Sequence, residues 1–175
     1  MRAPVHAAVG LGANLGDSTH AVTSAIHALA QLPETELLSA SRLYRTPAWG
    51  RVDQPDFINA AVLLNTTLTA PALLAQLLEI ERNAGRQRGG DTAALRWGPR
   101  VLDLDLLLYG DAVINVPGLR VPHPYLHERA FALVPLAEIA AEMVFPGYGS
   151  VGEALRQVDA QGVEAIAVQA ASSAR

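Results

Sequence analysis

Alternating and helically spaced apolar positions divide the first two thirds of the chain into strands and helices. Short buried or alternating runs predict strands, and apolar residues three or four apart predict helices. The predicted strands are Val5–Val9, Leu37–Tyr44, Phe57–Thr66, residues 102–109 and Ala112–Asn115. Two predicted helices separate them in the order β-α-β-β-α-β. This order is typical of an α+β, ferredoxin-like fold, in which a mainly antiparallel sheet carries both helices on one face.

Capping residues mark where the two helices begin. Asp17 or Ser18 can cap the first, which should stop before Pro33, and Thr69 can cap the second, which runs towards Gly85. Their apolar positions keep helical spacing and predict the buried faces. These positions are Val22, Ala25, Ile26, Leu29, Leu73, Leu77, Ile80 and Ala84.

The last third of the chain predicts a helical extension of this core. The segment VPHPYLHERAF (121–131) leads into helical segments interrupted by Pro135. Ser150 and Glu153 form a capping-box pattern for a last short helix. Because no repeat or long linker divides the chain, we expect one domain over residues 1–175.

Composition indicates a soluble protein with one hydrophobic core. The chain has 175 residues, half of them hydrophobic, and no cysteine, which excludes disulfides and thiolate metal sites and suits a reducing compartment. The N-terminal apolar run is broken by glycines, unlike a signal peptide, and no segment approaches the roughly 20 apolar residues that span a bilayer. We expect a cytoplasmic monomer that does not bind membranes.

The basic residues are all arginine, and several are concentrated in one part of the chain. There are 13 arginines and no lysine, which excludes Schiff-base chemistry and a phosphate loop ending in Gly-Lys-Ser/Thr. The net charge is -4, yet Arg82, Arg86, Arg88, Arg96 and Arg100 fall within nineteen positions. A local cationic zone in an acidic protein favours a small anionic ligand over a nucleic acid.

The segment RWGPRVLDLDLLLYG (96–110) places two carboxylates in an otherwise apolar strand. Because side chains alternate along a strand, Asp103 and Asp105 share a face, about 6.6 Å apart. Their repulsion would be about 2.5 kcal/mol at an effective dielectric near 20, and aspartate is disfavoured in strands. Mg²⁺ would relieve this repulsion, because it prefers one or two carboxylates together with waters and phosphate oxygens. The alternative is a solvated strand edge, since a D-x-D pattern alone is a weak signal.

Arginines of the preceding loop could supply the complementary charge. Guanidinium groups bind phosphate in bidentate fashion, although any single arginine could also belong to a solvated basic loop. The candidates for a polyphosphate clamp are Arg86, Arg88, Arg96 and Arg100. Residues 85–99 form a long loop with several glycines, and such loops often serve as lids. We predict a mobile lid that closes with Trp97.

The stretch GLGANLGD (10–17) is superficially similar to a dinucleotide-binding fingerprint. Its spacing differs, because Leu15 occupies the place of the third glycine and Gly16 comes one position late. We interpret the stretch as a strand-to-helix turn that exposes backbone to a ligand. No His/Asp/Glu spacing predicts a zinc site.

Five ordered segments together resemble the 6-hydroxymethyl-7,8-dihydropterin pyrophosphokinase family. They are YRTPAWG (44–50), DQPDFINAAV (53–62), GRQR (85–88), RWGPRVLDLDLLLYG (96–110) and VPHPYLHERAFALVPL (121–136). The similarity runs from about Val5 to Phe145, and RWGPR running into LDLDLL is its most specific part. The resemblance implies a ferredoxin-like fold. It also implies transfer of pyrophosphate from ATP to the pterin hydroxymethyl group, with release of AMP, in folate biosynthesis.

The resemblance also implies roles for individual residues. Asp103 and Asp105 would bind two magnesium ions that bridge the ATP phosphates and the pterin hydroxyl. Phe57 and Phe131 would sandwich the pterin ring, and Asn59 would read its polar edge. The implied pterin pocket is Thr46, Pro47, Trp49, Phe57, Asn59 and Phe131. The positions implied to hold ATP or to close over it are Glu81, Arg86, Arg88, Trp97, Arg100, Leu106, His123 and Arg129, with Leu106 acting through its backbone. The arginines, including Arg96, would stabilise charge on the transferring group.

Three features depart from the family pattern. The loop between Arg88 and Arg96 is longer than in some relatives, and Trp49 stands where a smaller apolar residue is often found. A basic ATP-contacting residue near Gly118 is missing, and Arg120 is the candidate to replace it.

Two other classes of protein would explain part of the pattern. A ferredoxin-like RNA-binding module requires aromatics and a basic sheet face, whereas this chain has 5% aromatics and acids on its last core strand. A nucleotidyltransferase or sugar transferase would use the D-x-D motif for metal, but it would not explain the set formed by Phe57, Asn59 and Phe131.

Overall fold

An antiparallel sheet of six strands lies at the centre of the structure, a computed structural model that describes residues 2–47, 55–87 and 101–166. For Arg86 and Gln87 it describes the backbone. Along the chain the elements are β1 Val5–Ala13, α1 Ser18–Ala30, β2 Thr35–Ala40, β3 Tyr44–Thr46, β4 Phe57–Thr66, α2 Ala70–Gln87, β5 Asp103–Tyr109, β6 Ile114–Val116, β7 Leu119–Val121, a 3-10 helix Leu126–Glu128, α3 Ala130–Ala140, β8 Val144–Phe145, β9 Gly149–Ser150, α4 Val151–Leu155 and β10 Glu164–Ala165.

The strand order identifies the topology. The order is β10-β3-β4-β1-β5, and β2 also pairs with β4. β2 pairs with residues 62–66 of β4 and β3 with residues 57–59, so both occupy the same edge of β4. The core order β5-β1-β4-β2/β3 is that of the ferredoxin-like fold, and the predicted α+β class is therefore confirmed.

The break between β2 and β3 lies at Ser41, where one continuous strand, Leu37–Tyr44, was predicted. The Ser41 amide donates to the Ala61 carbonyl at 2.9 Å, and the Ala61 amide donates to the Ser41 hydroxyl, also at 2.9 Å. The serine side chain thus takes the place of a backbone acceptor in the ladder, and the strand prediction was wrong because this hydroxyl interrupts the pairing.

Each face of the sheet is covered by its own helices. On one face, α1 and α2 bury Val22, Leu29, Leu73 and Leu77 against the strands. The opposite face packs against α3 and α4 through a second cluster, which comprises Ala8, Ala61, Leu107, Leu108, Leu126, Ala132, Leu133, Leu136, Phe145, Val151 and Ala154. The C-terminal extension therefore lies over the sheet face that the first two helices leave uncovered. Each fully buried leucine contributes about 1.5–3 kcal/mol.

The predicted caps are confirmed. The Asp17 carboxylate accepts from the amide three residues on at 3.1 Å, and the Thr69 hydroxyl does the same at 3.2 Å. Ser150 and Glu153 exchange both hydrogen bonds of a capping box, at 3.1 and 2.9 Å. α2 continues two residues beyond Gly85, so the first residues of the predicted loop 85–99 are helical.

Two predictions for the C-terminal half were wrong. α3 continues through Pro135, because the burial of Leu133 and Leu136 in the second cluster offsets the roughly 3 kcal/mol that an interior proline costs a helix. The short strand expected at Ala112–Asn115 begins two residues later and ends one residue later, and it pairs with β7, which the sequence pattern did not predict.

No helix within residues 2–47, 55–87 and 101–166 combines the length and apolar character needed to cross a membrane.

Candidate active site

Asp103 and Asp105 lie on the sheet face that α3 covers. Leu102, Leu104 and Leu106 belong to the cluster on the α1 and α2 face, so the two aspartates between them point to the opposite side. Both carboxylates are half-buried. The common face expected from the alternation is therefore present, and the carboxylates are held close to the protein surface.

The strand register aligns Asp103 with a polar group two strands away. Gly12 of β1 pairs with Asp103 on one side and with Asn59 on the other, and Asn59 in turn pairs with Tyr44 of β3. With about 4.8 Å between neighbouring strands, the backbones of Asn59 and Asp103 are about 10 Å apart. In the next row, Gly10 separates Asp105 from Ala61 in the same way.

Gly10 and Gly12 keep the floor between these polar groups free of side chains. A Cβ added to Gly12 would lie 3.0 Å from Oδ1 of Asn59, and one added to Gly10 would lie 3.2 Å from a methyl group of Leu107. Both glycines are inside β1, so the prediction of a strand-to-helix turn at this stretch was wrong for Gly10 and Gly12. The turn begins after Ala13, and its Gly16 has a φ of 70°.

Asn59 and Thr46 form a buried polar pair at the end of β3 and β4. Both are nearly inaccessible to solvent, and the Asn59 amide nitrogen donates to the Thr46 hydroxyl at 2.9 Å. This bond fixes the orientation of the amide and directs Oδ1 towards Gly12. Phe57 is half-buried on the same face, and Pro47, directly after Thr46, is exposed.

Asp105 lies between two groups from the segment before α3. Its Oδ2 is 3.7 Å from a guanidinium nitrogen of Arg129, and its Oδ1 is 4.0 Å from Nε2 of His123. The carboxylate and the guanidinium are each about one third exposed. At these separations the contacts are electrostatic rather than short hydrogen bonds, so the carboxylate oxygens are not tightly engaged by either group.

His123 is a neutral imidazole at neutral pH. Burial lowers its pKa, and the Arg129 guanidinium lowers it further, whereas the Asp103 carboxylate opposes both effects. Its Nδ1 accepts from the Tyr125 amide at 3.2 Å, so the ring carries its proton on Nε2, the nitrogen nearer Asp105. The imidazole therefore offers Nε2–H as a donor beside the carboxylates.

Arg129 is bracketed by two aromatic rings. Its guanidinium carbon lies 5.7 Å from the Tyr125 ring centroid and 5.6 Å from that of Phe131. Cation–π attraction at this range helps to hold the guanidinium beside Asp105. Phe131, half-buried at the start of α3, thus lies beside Arg129.

The outer edge of β5 contacts α2. β5 is the last strand in the order, and its Leu104 amide donates to the Glu81 carboxylate of α2 at 2.7 Å. Leu106, two residues on, directs its backbone to the same edge, while its side chain is buried in the core. Because its side chain is buried, Leu106 has its backbone as the group that faces this edge.

Several residues predicted for the site lie outside the described part of the chain. They are Trp49, Arg88, Arg96, Trp97 and Arg100, together with the side chain of Arg86 and most of the predicted lid. Arg120 lies on β7 between Leu119 and Val121, whose side chains are buried, so its own side chain points to solvent. The structure therefore brings together Thr46, Phe57, Asn59, Asp103, Asp105, His123, Arg129 and Phe131.

Sequence reasoning missed two contributions to this site. Gly10 and Gly12 form its floor, and the signal was their spacing of two within an apolar strand, which puts both on one face. The second is a contact between Tyr44 and Glu138, which lie 94 positions apart, so no local pattern indicates it.

The donor groups fit a divalent cation shared with a phosphorylated ligand. Within the described ranges, no three His, Asp or Glu side chains converge as a complete metal site. Two half-buried carboxylates on one face instead match the preference of Mg²⁺ for one or two carboxylates, with phosphate oxygens and waters completing its shell. The arginine and the neutral imidazole beside them are suitable partners for phosphate.

The ferredoxin-like sheet, the carboxylate pair and the buried amide define the class as an enzyme of small-molecule phosphate chemistry. Residues 8–141 match the profile of the 7,8-dihydro-6-hydroxymethylpterin-pyrophosphokinase (HPPK) family. The chain therefore belongs to the HPPK family, as the sequence resemblance indicated.

Similar proteins agree with this assignment. The chain is 44% identical over 158 residues to the 2-amino-4-hydroxy-6-hydroxymethyldihydropteridine pyrophosphokinase of Methylorubrum extorquens, an alignment that covers 90% of this chain and 96% of that one. It is 40% identical over 156 residues to the protein of the same name from Pseudomonas aeruginosa, with 89% and 93% covered.

Solved structures support the fold. The HPPK-DHPS A437G protein of Plasmodium falciparum with SDX-DHP matches with a TM-score of 0.74 at 13% identity, over 96% of this chain and 50% of that one. The triple mutant S436F/A437G/A613T with STZ-DHP has a TM-score of 0.68 at 13% identity, over 90% and 44%. This chain spans about half the length of those solved chains or less.

Proposed function

We propose that this protein transfers pyrophosphate from ATP to the hydroxymethyl group of 6-hydroxymethyl-7,8-dihydropterin and releases AMP, as a step of folate biosynthesis. Its relatives of nearly equal length carry the name of this enzyme. The observation that carries the proposal is the row Asn59-Gly12-Asp103 across three strands. It sets a buried amide, suited to a flat heterocycle, next to carboxylates suited to a metal-bound polyphosphate.

The pterin ring would occupy the end of the site at β3 and β4. Phe57 and Phe131 would stack on its two faces, and Asn59 would hydrogen-bond its polar edge while held by Thr46. Pro47 and Trp49 complete the proposed pocket. This arrangement points the hydroxymethyl group along the glycine floor towards Asp103.

ATP would bind at the other end, along the edge of the sheet formed by β5. The backbone of Leu106 and the side chains of Glu81, His123 and Arg129 lie at or near this edge, and Arg120 is a further candidate. We propose that Asp103 and Asp105 hold two Mg²⁺ ions there. When bound, Mg²⁺ neutralises phosphate charge and lowers the pKa of the attacking hydroxyl.

The chain's own groups then position the reactants for an in-line displacement. The pterin hydroxyl oxygen bonds to the β-phosphorus of ATP while the bond from that phosphorus to the α–β bridging oxygen breaks, and AMP departs with that oxygen. The hydroxyl proton leaves to solvent, since the described residues offer no evident general base. We propose that Arg86, Arg88, Arg96, Arg100 and Arg129 stabilise the negative charge, and that Trp97 closes the site.

The remaining features of the proposal concern the protein as a whole. We propose a single pyrophosphokinase domain over residues 1–175 that acts as a monomer in the cytoplasm. The two clusters on the sheet faces share the same strands, which favours a single folding unit.

Product analysis tests the proposed activity directly. With ATP, Mg²⁺ and 6-hydroxymethyl-7,8-dihydropterin, we expect AMP and the pterin diphosphate in equal amounts, separated by chromatography. Inorganic pyrophosphate as the product would instead indicate a nucleotidyltransferase, and the absence of any turnover would refute the proposal. Omission of Mg²⁺ with added EDTA should abolish AMP formation.

A methyl group at Gly12 should weaken pterin binding selectively. Gly12→Ala places a Cβ 3.0 Å from Oδ1 of Asn59 and must displace that amide by a few tenths of an ångström. We expect the KM for the pterin to rise about tenfold, equivalent to about 1.4 kcal/mol, with the KM for ATP unchanged. Gly10→Ala is the matched control, because its Cβ meets a Leu107 methyl group at 3.2 Å rather than the Asn59 amide. An equal rise in pterin KM for both variants would contradict the assignment of Asn59.

A further inference from the structure

We infer that Tyr44, Glu138 and Arg42 form a clamp that positions α3, and with it Phe131, over the pterin end of the site. The inference rests on the proposed function. It assigns Tyr44 and Glu138 as positioning residues that set the width of the pterin pocket without contacting the reacting atoms.

The clamp is a closed set of hydrogen bonds between β3 and α3. The Tyr44 hydroxyl donates to Oε1 of Glu138 at 2.5 Å. The Arg42 backbone amide donates to Oε2 at 3.2 Å, and its Nε donates to Oε1 at 3.3 Å. Arg42 also donates to the Tyr44 hydroxyl at 3.3 Å. Glu138 therefore receives donors from Tyr44 at the start of β3 and from Arg42 just before it, and its position relative to the sheet is fixed.

The sheet end of the clamp belongs to the same row as the site. Tyr44 pairs with Asn59, which pairs with Gly12, which pairs with Asp103. Tyr44 is 4% exposed and directs its ring to the α3 side of the sheet, where Thr46 supports Asn59 two residues further along β3. A shift of the Tyr44 side chain would therefore disturb the surroundings of the Asn59 amide, which is proposed to hydrogen-bond the pterin.

The helix end of the clamp is in register with Phe131. Glu138 follows Phe131 by seven residues, so the two lie within about 20° of the same side of α3 and about 10.5 Å apart along its axis. The middle of α3 packs on β4 through apolar side chains. Apolar contacts permit small rotations of the helix more readily than hydrogen bonds do. The clamp supplies the directional contact, and the start of α3 carries Phe131, the ring proposed to stack on the pterin opposite Phe57.

Electrostatics keep Glu138 charged within the clamp. Although burial alone would raise the pKa of Glu138, the hydrogen bonds from Tyr44 and Arg42 outweigh that effect and lower it. Burial raises the pKa of Tyr44, and its hydrogen bond to Glu138 raises it further. At neutral pH, Tyr44 is therefore a protonated donor and Glu138 a charged acceptor.

Removal of the Tyr44 hydroxyl should raise the KM for the pterin without slowing the chemical step. For Tyr44→Phe we expect that KM to rise about fivefold, with kcat within about twofold and the KM for ATP unchanged. Glu138→Ala should behave similarly, and Glu138→Gln, which retains an acceptor, should recover part of the affinity. In the double variant Tyr44→Phe/Glu138→Ala, the rise should be no larger than in either single variant, because both remove the same contact.

Tyr109→Phe is the matched control for lost stability. Tyr109 is a second buried tyrosine, 7% exposed, whose hydroxyl donates to the Leu68 carbonyl away from the pterin end. Its replacement should lower the melting temperature and leave the pterin KM unchanged. The positioning role is overturned if Tyr44→Phe also lowers only the melting temperature. It is overturned as well if the rises in pterin KM caused by Tyr44→Phe and Glu138→Ala are fully additive in the double variant. Lack of AMP formation by the unsubstituted protein would refute the proposed function instead, so the two failures are distinguishable.

Discussion

Replacement of Asp105 by alanine should lower kcat for AMP formation at least about 1,000-fold, equivalent to about 4 kcal/mol of transition-state stabilisation. The carboxylate lies on the same sheet face as Asp103, beside Arg129 and His123. Without this carboxylate, the proposed Mg²⁺ ions would lose a ligand, and the charge on the transferring phosphates would no longer be neutralised to the same extent. The rate is measured by chromatography of AMP with both substrates saturating, and Asp103→Ala should produce a loss of similar size.

The control for charge and strand position is Asp111→Ala. Asp111 is exposed at the turn directly after β5, so its loss changes the net charge equally without altering the site. Binding of a non-hydrolysable ATP analogue, titrated with and without Mg²⁺, adds a second measurement. The Mg²⁺-dependent gain in affinity should disappear in Asp105→Ala and persist in Asp111→Ala. Near-normal AMP production by Asp105→Ala would contradict the metal assignment.

Replacement of Asn59 by leucine should lower kcat/KM for the pterin by roughly 100-fold or more, because a site built to hydrogen-bond a polar edge loses its partner. The side chain is 5% exposed and is held by Thr46. Leucine is similar in volume but leaves the Thr46 hydroxyl without its donor and the pterin edge unpaired. The affinity for the ATP analogue should remain within about twofold, since that ligand is proposed to bind at β5.

Asn65→Leu provides the comparison within the same strand. Asn65 lies six residues further along β4, on the same face and about 20 Å from Asn59, where it pairs with His6. The substitution is chemically identical, so any general cost of leucine on this strand appears in both variants. An equal loss of pterin kcat/KM in the two variants would remove Asn59 from the proposed pocket.

Local sequence signals predicted much of the fold and the carboxylate half of the site. The bounds of Phe57–Thr66 agree with β4, and the caps at Asp17, Thr69 and Ser150 are those observed. These features depend on neighbouring residues, whose spacing follows directly from helix and strand geometry. The common face of Asp103 and Asp105 follows from the same geometry.

Features that depend on distant partners were not predictable in the same way. Gly12 is explained by the space that Asn59 occupies on β4, the neighbouring strand of the sheet, and the break at Ser41 is explained by its exchange of hydrogen bonds with Ala61. The continuity of α3 through Pro135 depends on the packing of α3 against β4. In each case a tertiary contact outweighs the local preference of the residue.

By itself the sequence determined the order of helices and strands, the alternation that puts both aspartates on one face, and the family to which the chain belongs. These properties are encoded by residue spacing along the chain, which needs no knowledge of partners. Only the tertiary structure decided that Asn59, Gly12 and Asp103 form one row, that Arg129 and His123 flank Asp105, and that Tyr44 is bonded to Glu138. Strand register and helix docking are set by packing and hydrogen bonding between residues far apart in sequence, which bring these groups together in one site.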